Sequence, residues 1–450
     1  MAVENKLSRA AGLDANSECI HAALDLFSSP VKDVSLERCY YQEVWPTPPL
    51  SDGANMISFH IPTSEEYTDA SECLVQLSVE VNKADGANGP ATQTSGDSYG
   101  LINMPLTSLF QNVNIRLNDT LVSDSFGTYP FLCQWQTLLN YGHESRKTRL
   151  RLCGWTDDFD PSIKDATTAS SFKDRAAWTS GANVAHFIGP IFSGIFNQQR
   201  LLPSLLPIYI DFILAKPEFA ITRSKADENY TFKIKTMKLL IRRVQPTAST
   251  KLSIERQLQT RPAIYPITHS YCKPLFIPQK TVTFSIPDIW SGTNVPKFCM
   301  ISLLKLTDFN GDYTTSPFTF SPNRVKSLSI SFGGYTYPSL EFKPDWSNNG
   351  QWLRSYYSLM LNSFKLDAAN MITYDVYAKW YTTFVVETGQ FSLSATDHTS
   401  TKTELSARLD INFESEAATL NPALVALMYC EHDNSIMIDK NRVITKDYVC

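Results

Sequence analysis

The chain has 450 residues, more than the roughly 250–300 that one hydrophobic core serves, so two domains of about 200 residues each are the simplest division. Hydrophobic residues make up 43% and charged residues 19%, which disfavours long disorder, and 8 Trp, 20 Tyr, 25 Phe and 25 Pro favour β-structure with many loops. The net charge is −5 and the densest basic run is short, which argues against a concentrated phosphate-binding surface. We expect that run to lie on a solvated loop or strand edge; it comprises Arg146, Lys147, Arg149 and Arg151.

The cysteine pattern is typical of a reducing compartment. The nine cysteines stand at 19, 39, 73, 133, 153, 272, 299, 430 and 450, an odd number without a C-x-x-C pair. Several lie in apolar, strand-like runs, as buried reduced thiols do. Residues 1–20 lack the apolar segment of a signal peptide, and the most apolar stretch, 201–215, is shorter than the roughly 18 residues of a membrane-spanning helix. We therefore expect a soluble protein without a membrane span.

The first 50 residues predict an extended arm, because small apolar clusters alternate with prolines 30, 46, 48 and 49. The arm contains apolar side chains that a free tail would leave in water: Leu24, Leu26, Phe27, Val31 and Trp45. We expect it to pack under its own domains or under a neighbouring molecule. Its removal should then affect assembly more than folding.

The first domain is expected at residues 51–245. MISFHI and CLVQLSVEVNK alternate apolar and polar residues, as half-buried strands do. Asn118 and Asp119 form the predicted turn of a hairpin over 113–123, and a Gly/Ser/Thr-rich loop spans 85–100. The spacing of Phe131, Trp135 and Leu138 predicts a helix in TYPFLCQWQTLLNYG. Further strands are predicted around 184–196, 206–214 and 230–244.

A linker over residues 246–262 and a second domain over 263–450 complete the predicted organisation. Gly333-Gly334 is the predicted turn of a second hairpin, and a helix follows at 351–364. Strands are predicted at 281–286, 297–306, 325–332, 374–386, 405–413 and 423–430.

The order strand, two-residue turn, strand, Trp-bearing helix thus occurs twice. The turns lie 215 residues apart, at 118 and 333, and the helix tryptophans 217 apart, at 135 and 352. This repetition predicts a tandem pair of similar domains, each with about eight short strands. Eight antiparallel strands in two sheets form a jelly roll, although strand pattern alone is also compatible with other sandwiches or barrels.

Several motifs, taken in order, resemble the major capsid protein of Polinton/Maverick elements and their adintovirus relatives. They begin with LDLFSSP (24–30), ISFHIPTSEEYTDASECLVQLSVEVNKADG (57–86), LFQNVNIRLNDTLV (109–122) and TYPFLCQWQTLLNYG (128–142). They continue with FKIKTMKLLIRRV (232–244), AIYPITHS (263–270), SPFTFSPNRVKSLSISFGG (316–334) and YCEHDNSIMIDKNRVITKDY (429–448). The resemblance covers nearly all of residues 18–448 and departs mainly in the loops at 85–100 and 154–182.

This resemblance implies an all-β chain of two tandem eight-stranded jelly rolls, a double jelly roll, with short helical insertions. It implies a hexon-like homotrimer of pseudo-hexagonal outline, and capsomers that tile an icosahedral shell around double-stranded DNA. The implied partners are other copies of the chain, a single jelly-roll penton protein and minor capsid proteins, with only indirect DNA contact. The implied location is the virion, after synthesis in the host cytoplasm.

Two motifs resemble functional sites without meeting their requirements. GDSYG at 96–100 matches the G-x-S-x-G nucleophile elbow around Ser98, but its flanks predict loop where a strand and a helix are needed. Asp308, Asn310 and Asp312 resemble the start of a calcium loop. Because Tyr313 stands where that loop needs glycine, we expect a plain turn.

The remaining polar clusters also predict no active site. Asp157, Asp158 and Asp160 would suit general acid–base catalysis, but DDFDPS is typical of a solvated loop. The seven histidines are scattered without HxxxH or HExxH spacing, which disfavours a zinc site. Of the two N-x-T sequons, Asn118 is better explained as a turn residue, and no secretory signal accompanies Asn229. We therefore predict no catalytic, cofactor-binding or metal-ligating residue, and no cofactor.

Two other functions are compatible with parts of the pattern. A carbohydrate- or receptor-binding β-sandwich would expose aromatic platforms on loops, whereas Trp135, Trp352 and Trp380 lie in strand or helix patterns. A hydrolase would depend on Ser98. The sequence favours a structural subunit over both.

Overall fold

The computed structural model describes residues 34–51, 53–84, 98–123, 125–158, 160–162, 171–180, 183–224, 229–290, 295–346, 352–362, 372–387, 406–414 and 422–448. The strands of the first half are β1 (Leu36–Val44), β2 (Met56–Ile61), β3 (Tyr67–Lys83), β4 (Tyr99–Leu101), β5 (Phe110–Leu117), β6 (Thr120–Ser123), β7 (Ala185–Pro190), β8 (Ile208–Leu214), β9 (Ile221–Arg223) and β10 (Tyr230–Pro246). Those of the second half are β11 (Ala263–Ile277), β12 (Thr283–Ile286), β13 (Phe298–Lys305), β14 (Val325–Phe332), β15 (Tyr335–Phe342), β16 (Thr383–Glu387), β17 (Ala407–Phe413), β18 (Leu424–Ile438) and β19 (Ile444–Lys446).

Helices occupy the connections between these strands. Within the described ranges they are α1 (Pro105–Ser108), α2 (Tyr129–Asn140), α3 (His143–Lys147), α4 (Arg149–Leu152), α5 (Ser171–Thr179), α6 (Pro217–Ala220), α7 (Ala248–Leu258), α8 (Leu306–Asn310), α9 (Leu353–Asn362) and α10 (Tyr374–Trp380), with a 3₁₀ turn at Gly194–Phe196. None of the helices in the described ranges combines the length and apolar character that crossing a bilayer requires.

The two halves of the chain share one strand topology. In the first half, β1-β10-β3-β7 form one antiparallel sheet and β2-β8-β5-β6 another. In the second half, β11-β18-β13-β16 and β12-β17-β14-β15 repeat this arrangement. If the eight main strands of each half are numbered 1 to 8 along the chain, both halves have the orders 1-8-3-6 and 2-7-4-5. Two such four-stranded sheets make a jelly roll, which confirms the predicted fold class.

We call the two halves the first roll and the second roll. In each, the 1-8-3-6 sheet contains the two longest strands and is called the long sheet; the 2-7-4-5 sheet is the short sheet. The remaining strands pair locally: β4 and β9 form a separate two-stranded sheet, and β19 adds to β18 of the second long sheet.

Period-two alternation fixes which face of each long strand enters the core. Along β3, Val75, Leu77 and Val79 are 0–3% exposed, and they alternate with more polar residues. In the register with β10, Val75 lies opposite Leu239, and Leu77 lies opposite Met237. A shift by one residue would turn this apolar set away from the core, so the pattern specifies the register.

The repeated hairpin and helix are found where the sequence predicts them. Asn118 adopts φ 52° between β5 and β6, and Gly333 and Gly334 adopt φ 59° and 82° between β14 and β15. Positive φ at turn positions is tolerated best by Asn and Gly. Helix α2 follows the first hairpin and α9 follows the second, so both predicted helices are confirmed.

The predicted arm boundary at residue 50 is wrong for Leu36–Val44. This segment is β1, an edge strand of the first long sheet that pairs with β10 from Leu36↔Pro246 to Val44↔Leu239. Its side chains are mostly exposed or half-buried, so hydrophobic alternation does not reveal a strand held by backbone hydrogen bonds. Residues 1–33 of the predicted arm lie outside the described residues.

Two other segments differ from the predicted elements. The linker over 246–262 contains helix α7, which lies on the surface with only Leu258 buried. The strand predicted over 374–386 is a helix, α10, followed by the strand β16. Aromatic and β-branched residues favour a strand here, but Asp375 in the first turn and Lys379 in the last complement the helix dipole.

Candidate assembly interface

The long sheet of the second roll is buried on both of its faces. Along β18, Ala426 and Met428 belong to the core between the two sheets of the second roll. The alternating residues Val425, Leu427 and Tyr429 belong instead to a cluster that extends into the first roll. All five are 0% exposed. The continuous apolar run ALVALMYC therefore serves two interfaces, one inside the second roll and one between the rolls.

Helix α2 of the first roll covers this outer face. The Thr128 hydroxyl, just before the helix, donates a hydrogen bond to the Cys272 carbonyl of β11 at 2.7 Å. The ring of Phe131 stacks on Phe309 at 5.6 Å, and the ring of Trp135 lies 4.8 Å from that of Phe320. Every residue from Tyr129 to Leu138 is buried. Because it is buried on all sides over these residues, helix α2 packs like a core element between the two rolls.

Hydrogen bonds and an ion pair lie at the edges of the contact between the two rolls. The C-terminal segment of the second roll reaches the first hairpin, since the Tyr448 hydroxyl donates to the Val122 carbonyl at 2.7 Å and the Lys446 ammonium to Leu121 at 2.8 Å. Arg442 is 8% exposed, donates to the Ser204 carbonyl at 2.8 Å and pairs with Glu255 at 2.7 Å. These directional bonds set the orientation in which the apolar faces meet.

Two buried histidines lie on this long sheet. His269 of β11 and His432 of β18 are directly opposite each other, with ring centres 6.4 Å apart, and His269 stacks on Tyr448 at 4.4 Å. Burial lowers the pKa of His269 to about 3, with His432 and Lys446 adding to the effect. His269 is therefore uncharged at neutral pH, and its protonation at low pH should destabilise the folded chain.

The acidic cluster predicted to lie on a solvated loop is partly buried. Asp158 pairs with Arg175 at 3.2 Å, and the two side chains are only 6% and 5% exposed. Asp157 accepts hydrogen bonds from Arg146 at 3.2 Å and from the Trp155 indole at 3.1 Å. The solvated-loop prediction is therefore wrong for Asp157 and Asp158, and the basic run is also partly buried, through Arg146. The partners lie up to 17 positions away and show no local pattern, so the sequence alone does not reveal them.

The other candidate residues lie apart from one another. Ser98 directly precedes β4, and its backbone N–H and carbonyl both bond to Ser224, so it lies beside a strand edge and not on a strand-to-helix turn. Asp308 lies within α8, where burial raises the pKa of its carboxyl group. Asp312 accepts bonds from the Thr314 backbone at 2.7 Å and hydroxyl at 2.9 Å, as in a local turn. Within the described ranges, no three His, Cys, Asp or Glu residues are grouped as metal ligands.

The chain has the double jelly-roll fold, and comparisons with solved structures agree with this topology. A chain of the Sputnik virophage, solved by cryo-EM, aligns with TM-score 0.63 and 10% identity over 96% of this chain and 94% of its own. The mavirus major capsid protein aligns with TM-score 0.52 and 14% identity, covering 97% and 96%. The Faustovirus major capsid protein aligns with TM-score 0.52 and 10% identity, covering 96% of each chain.

Sequence comparison alone is less informative. No protein-family model matches the chain. An uncharacterized protein of Caenorhabditis elegans is 22% identical over 353 residues, which span 76% of this chain and 80% of the nematode protein. The fold likeness therefore rests on three-dimensional structure across nearly the whole chain.

Proposed function

We propose that this protein is a major capsid protein of the Polinton/Maverick type, a structural subunit and not an enzyme. The observation that carries the proposal is the repeated roll. The chain contains two copies of one topology, and helix α2 of the first roll covers the outer face of the long sheet of the second. Because the two rolls have the same topology, each chain contributes two similar side walls, one from each roll, to the outline of the assembly. Three such pairs give six similar walls around one axis, which suits a hexagonal tile.

The proposed unit is a homotrimer of pseudo-hexagonal outline that tiles an icosahedral shell around double-stranded DNA. The virion is its proposed location, after synthesis in the host cytoplasm. A single jelly-roll penton protein and minor capsid proteins are its proposed partners, with contact to DNA only indirect. The mild net charge of −5 supports this role, because many copies packed side by side repel each other only weakly.

The structure gives little support to a carbohydrate-binding sandwich. Such a site needs exposed aromatic platforms, and four tryptophans are too buried to form one: Trp135, Trp155, Trp290 and Trp352 are between 0% and 5% exposed. Trp45 is exposed, at 55%, but it follows an edge strand and is paired with the Lys238 ammonium at 5.8 Å.

Electron microscopy of the purified full-length protein tests the proposal. We expect hexagonal capsomers, or shells built from them, without any added partner. Particles of monomer size only, over a range of concentrations and salt, would overturn it.

A further inference from the structure

Two cysteines lie directly opposite each other in the core of the second roll. Cys299 of β13 and Cys430 of β18 are register partners on the two central strands of its long sheet. Both side chains are 0% exposed and belong to the core between the two sheets of this roll. Both are free thiols in the structure. Among the described strands, no other two cysteines are register partners.

The hydrogen-bond pattern places the two cysteines where side chains on neighbouring strands approach most closely. At the end of the same ladder, the Leu306 backbone N–H donates to the Ala423 carbonyl at 2.9 Å, so these two residues are a hydrogen-bonded pair. Hydrogen-bonded and non-hydrogen-bonded pairs alternate along an antiparallel ladder, and no register shift interrupts this one. Because Cys299 lies an odd number of positions before Leu306, Cys299 and Cys430 are a non-hydrogen-bonded pair. The Cα atoms of such a pair are about 4.5 Å apart, within the range of about 4.4–6.8 Å that a disulfide spans.

The two thiols also contact each other. A side-chain hydrogen bond joins Cys299 and Cys430. Burial raises the pKa of the Cys299 thiol well above its ordinary value, and the neighbouring Cys430 adds to this effect. Because the thiolate is the reactive form, the pair reacts slowly, and burial keeps out bulky reagents such as glutathione. A small oxidant that enters the roll is therefore the reagent that suits this pair.

We propose that Cys299 and Cys430 are an oxidation site, at which hydrogen peroxide or a similarly small peroxide joins β13 to β18 through a disulfide. One thiol loses its proton, and its sulfur attacks the O–O bond of hydrogen peroxide, which leaves a sulfenic acid and one water. The second sulfur then attacks the first, so that the S–S bond forms and the sulfenic oxygen leaves as a second water. The two thiols lose two electrons and two hydrogens, and the peroxide is reduced to two waters.

The disulfide would stabilise most of the second roll. It closes the chain segment between residues 299 and 430, which contains the four strands from β14 to β17. A disulfide that closes a long segment restricts the unfolded chain more than one that closes a short loop. The oxidation site itself does not depend on the proposed function, but its setting does. A capsid protein made in a reducing cytoplasm and later carried outside the cell would form this bond after release.

Peptide mapping of the oxidised full-length protein tests the site. The folded protein is incubated with dilute hydrogen peroxide and denatured, and its remaining thiols are alkylated before digestion with trypsin. We expect a disulfide-linked product that joins residues 298–305 to residues 409–440, the tryptic peptides that contain Cys299 and Cys430. Protein that has not been oxidised should give the two peptides separately, each alkylated at its cysteine.

Thermal melting shows whether the cross-link stabilises the roll. Oxidation should raise the melting temperature of the wild type by at least about 5 °C, as expected for a disulfide that closes a long segment in a domain of this size. Cys299→Ala should lose both the linked peptide and this increase, each judged against the same variant before oxidation. Cys39→Ala, which removes an exposed thiol on β1, is the matched control and should keep both.

A second condition covers slow entry of the peroxide into the folded roll. The reaction is repeated just below the urea unfolding transition, where local opening admits the reagent. A linked product under either condition supports the site. Alkylated Cys299 and Cys430 under both conditions would overturn it, as would a disulfide that joins either residue to another cysteine. Neither of these failures bears on the capsid role, which is tested by the presence or absence of capsomers.

Discussion

The first and second rolls have the same strand order but opposite chemistry on the outer faces of their long sheets. In the second roll this face carries Val425, Leu427 and Tyr429, which are fully buried by the first roll. In the first roll the corresponding face carries Tyr41 and Arg242, which are exposed or half-buried. A face that is covered within the folded chain is apolar like a protein core, whereas a face that stays exposed on the chain keeps charged side chains. The two rolls thus share one topology, while the chemistry of each outer face follows from whether the other roll covers it.

The largest expected effect comes from the covered helix. Trp135→Ala removes a fully buried ring that contacts Phe320 of the second roll, so we expect a loss of about 3–5 kcal/mol in the free energy of unfolding. Leu252→Ala, on an exposed helix face, should change it by less than about 0.5 kcal/mol. Urea denaturation followed by fluorescence and circular dichroism measures both. Equal losses of unfolding free energy in the two variants would show that the Trp135 ring is not buried between α2 and the second roll.

A similar loss is expected from the buried ion pair of the first roll. Asp158→Ala leaves the Arg175 guanidinium buried without its carboxylate partner, which should cost about 3–5 kcal/mol. The matched control is Asp174→Ala, because the Arg151–Asp174 pair, at 3.4 Å, is 44% and 56% exposed and should contribute no more than about 1 kcal/mol. Calorimetric melting of the two variants compares them directly. A larger loss from Asp174→Ala would contradict the assigned burial.

A smaller, pH-dependent effect is expected from the second roll. The pKa of His269 is near 6.5 in the unfolded chain and about 3 in the folded chain. The unfolded state therefore binds the proton more tightly, so this contribution to stability is complete above about pH 6.5 and is lost as the pH falls towards 3. Between pH 7.5 and pH 5 we expect His269 to account for about 2 kcal/mol of lost stability.

His269→Phe should remove this part of the acid sensitivity. Urea titrations of wild type and variant at a series of pH values give the difference, and comparison at each pH cancels the contributions of other groups such as Glu431, whose pKa burial raises. Parallel stability curves for the two proteins would show that His269 is not held neutral by burial.

The smallest effect is expected at Ser98. Its backbone N–H and carbonyl, and not its side chain, bond to Ser224, so Ser98→Ala should change stability by less than about 0.5 kcal/mol and leave assembly intact. Melting curves and electron micrographs of the variant check this. Labelling of Ser98 by a serine-reactive probe would revive the hydrolase alternative.

Much of the fold was predictable because its signals are local. Alternation in CLVQLSVEVNK, the Asn118 and Gly333-Gly334 turns, and the spacing of Phe131, Trp135 and Leu138 all depend on residues close in sequence. β1 was missed because an edge strand with a polar outer face needs only backbone pairing with β10. Helix α10 was missed because packing overrides the strand preference of its aromatic residues.

The candidate site was less predictable because its contacts are distant in sequence. The Thr128 hydroxyl meets the Cys272 carbonyl 144 residues away, and nothing near either residue indicates the other. Exposure is equally hard to predict: the helical spacing of Leu353, Tyr357 and Leu361 on α9 is visible in the sequence, but their exposure of 44%, 63% and 45% is not. Only the comparison of the two rolls in three dimensions shows that Tyr357 lacks the cover that α2 has.

The solution mass of the wild-type protein tests the central claim most directly. Sedimentation equilibrium of the full-length chain, over a wide range of protein concentration, salt and pH, should give about three times the 50.6 kDa chain mass, or larger multiples of three as capsomers associate. A mass of one or two chains under every condition would contradict a capsid subunit whose three copies form one hexagonal tile.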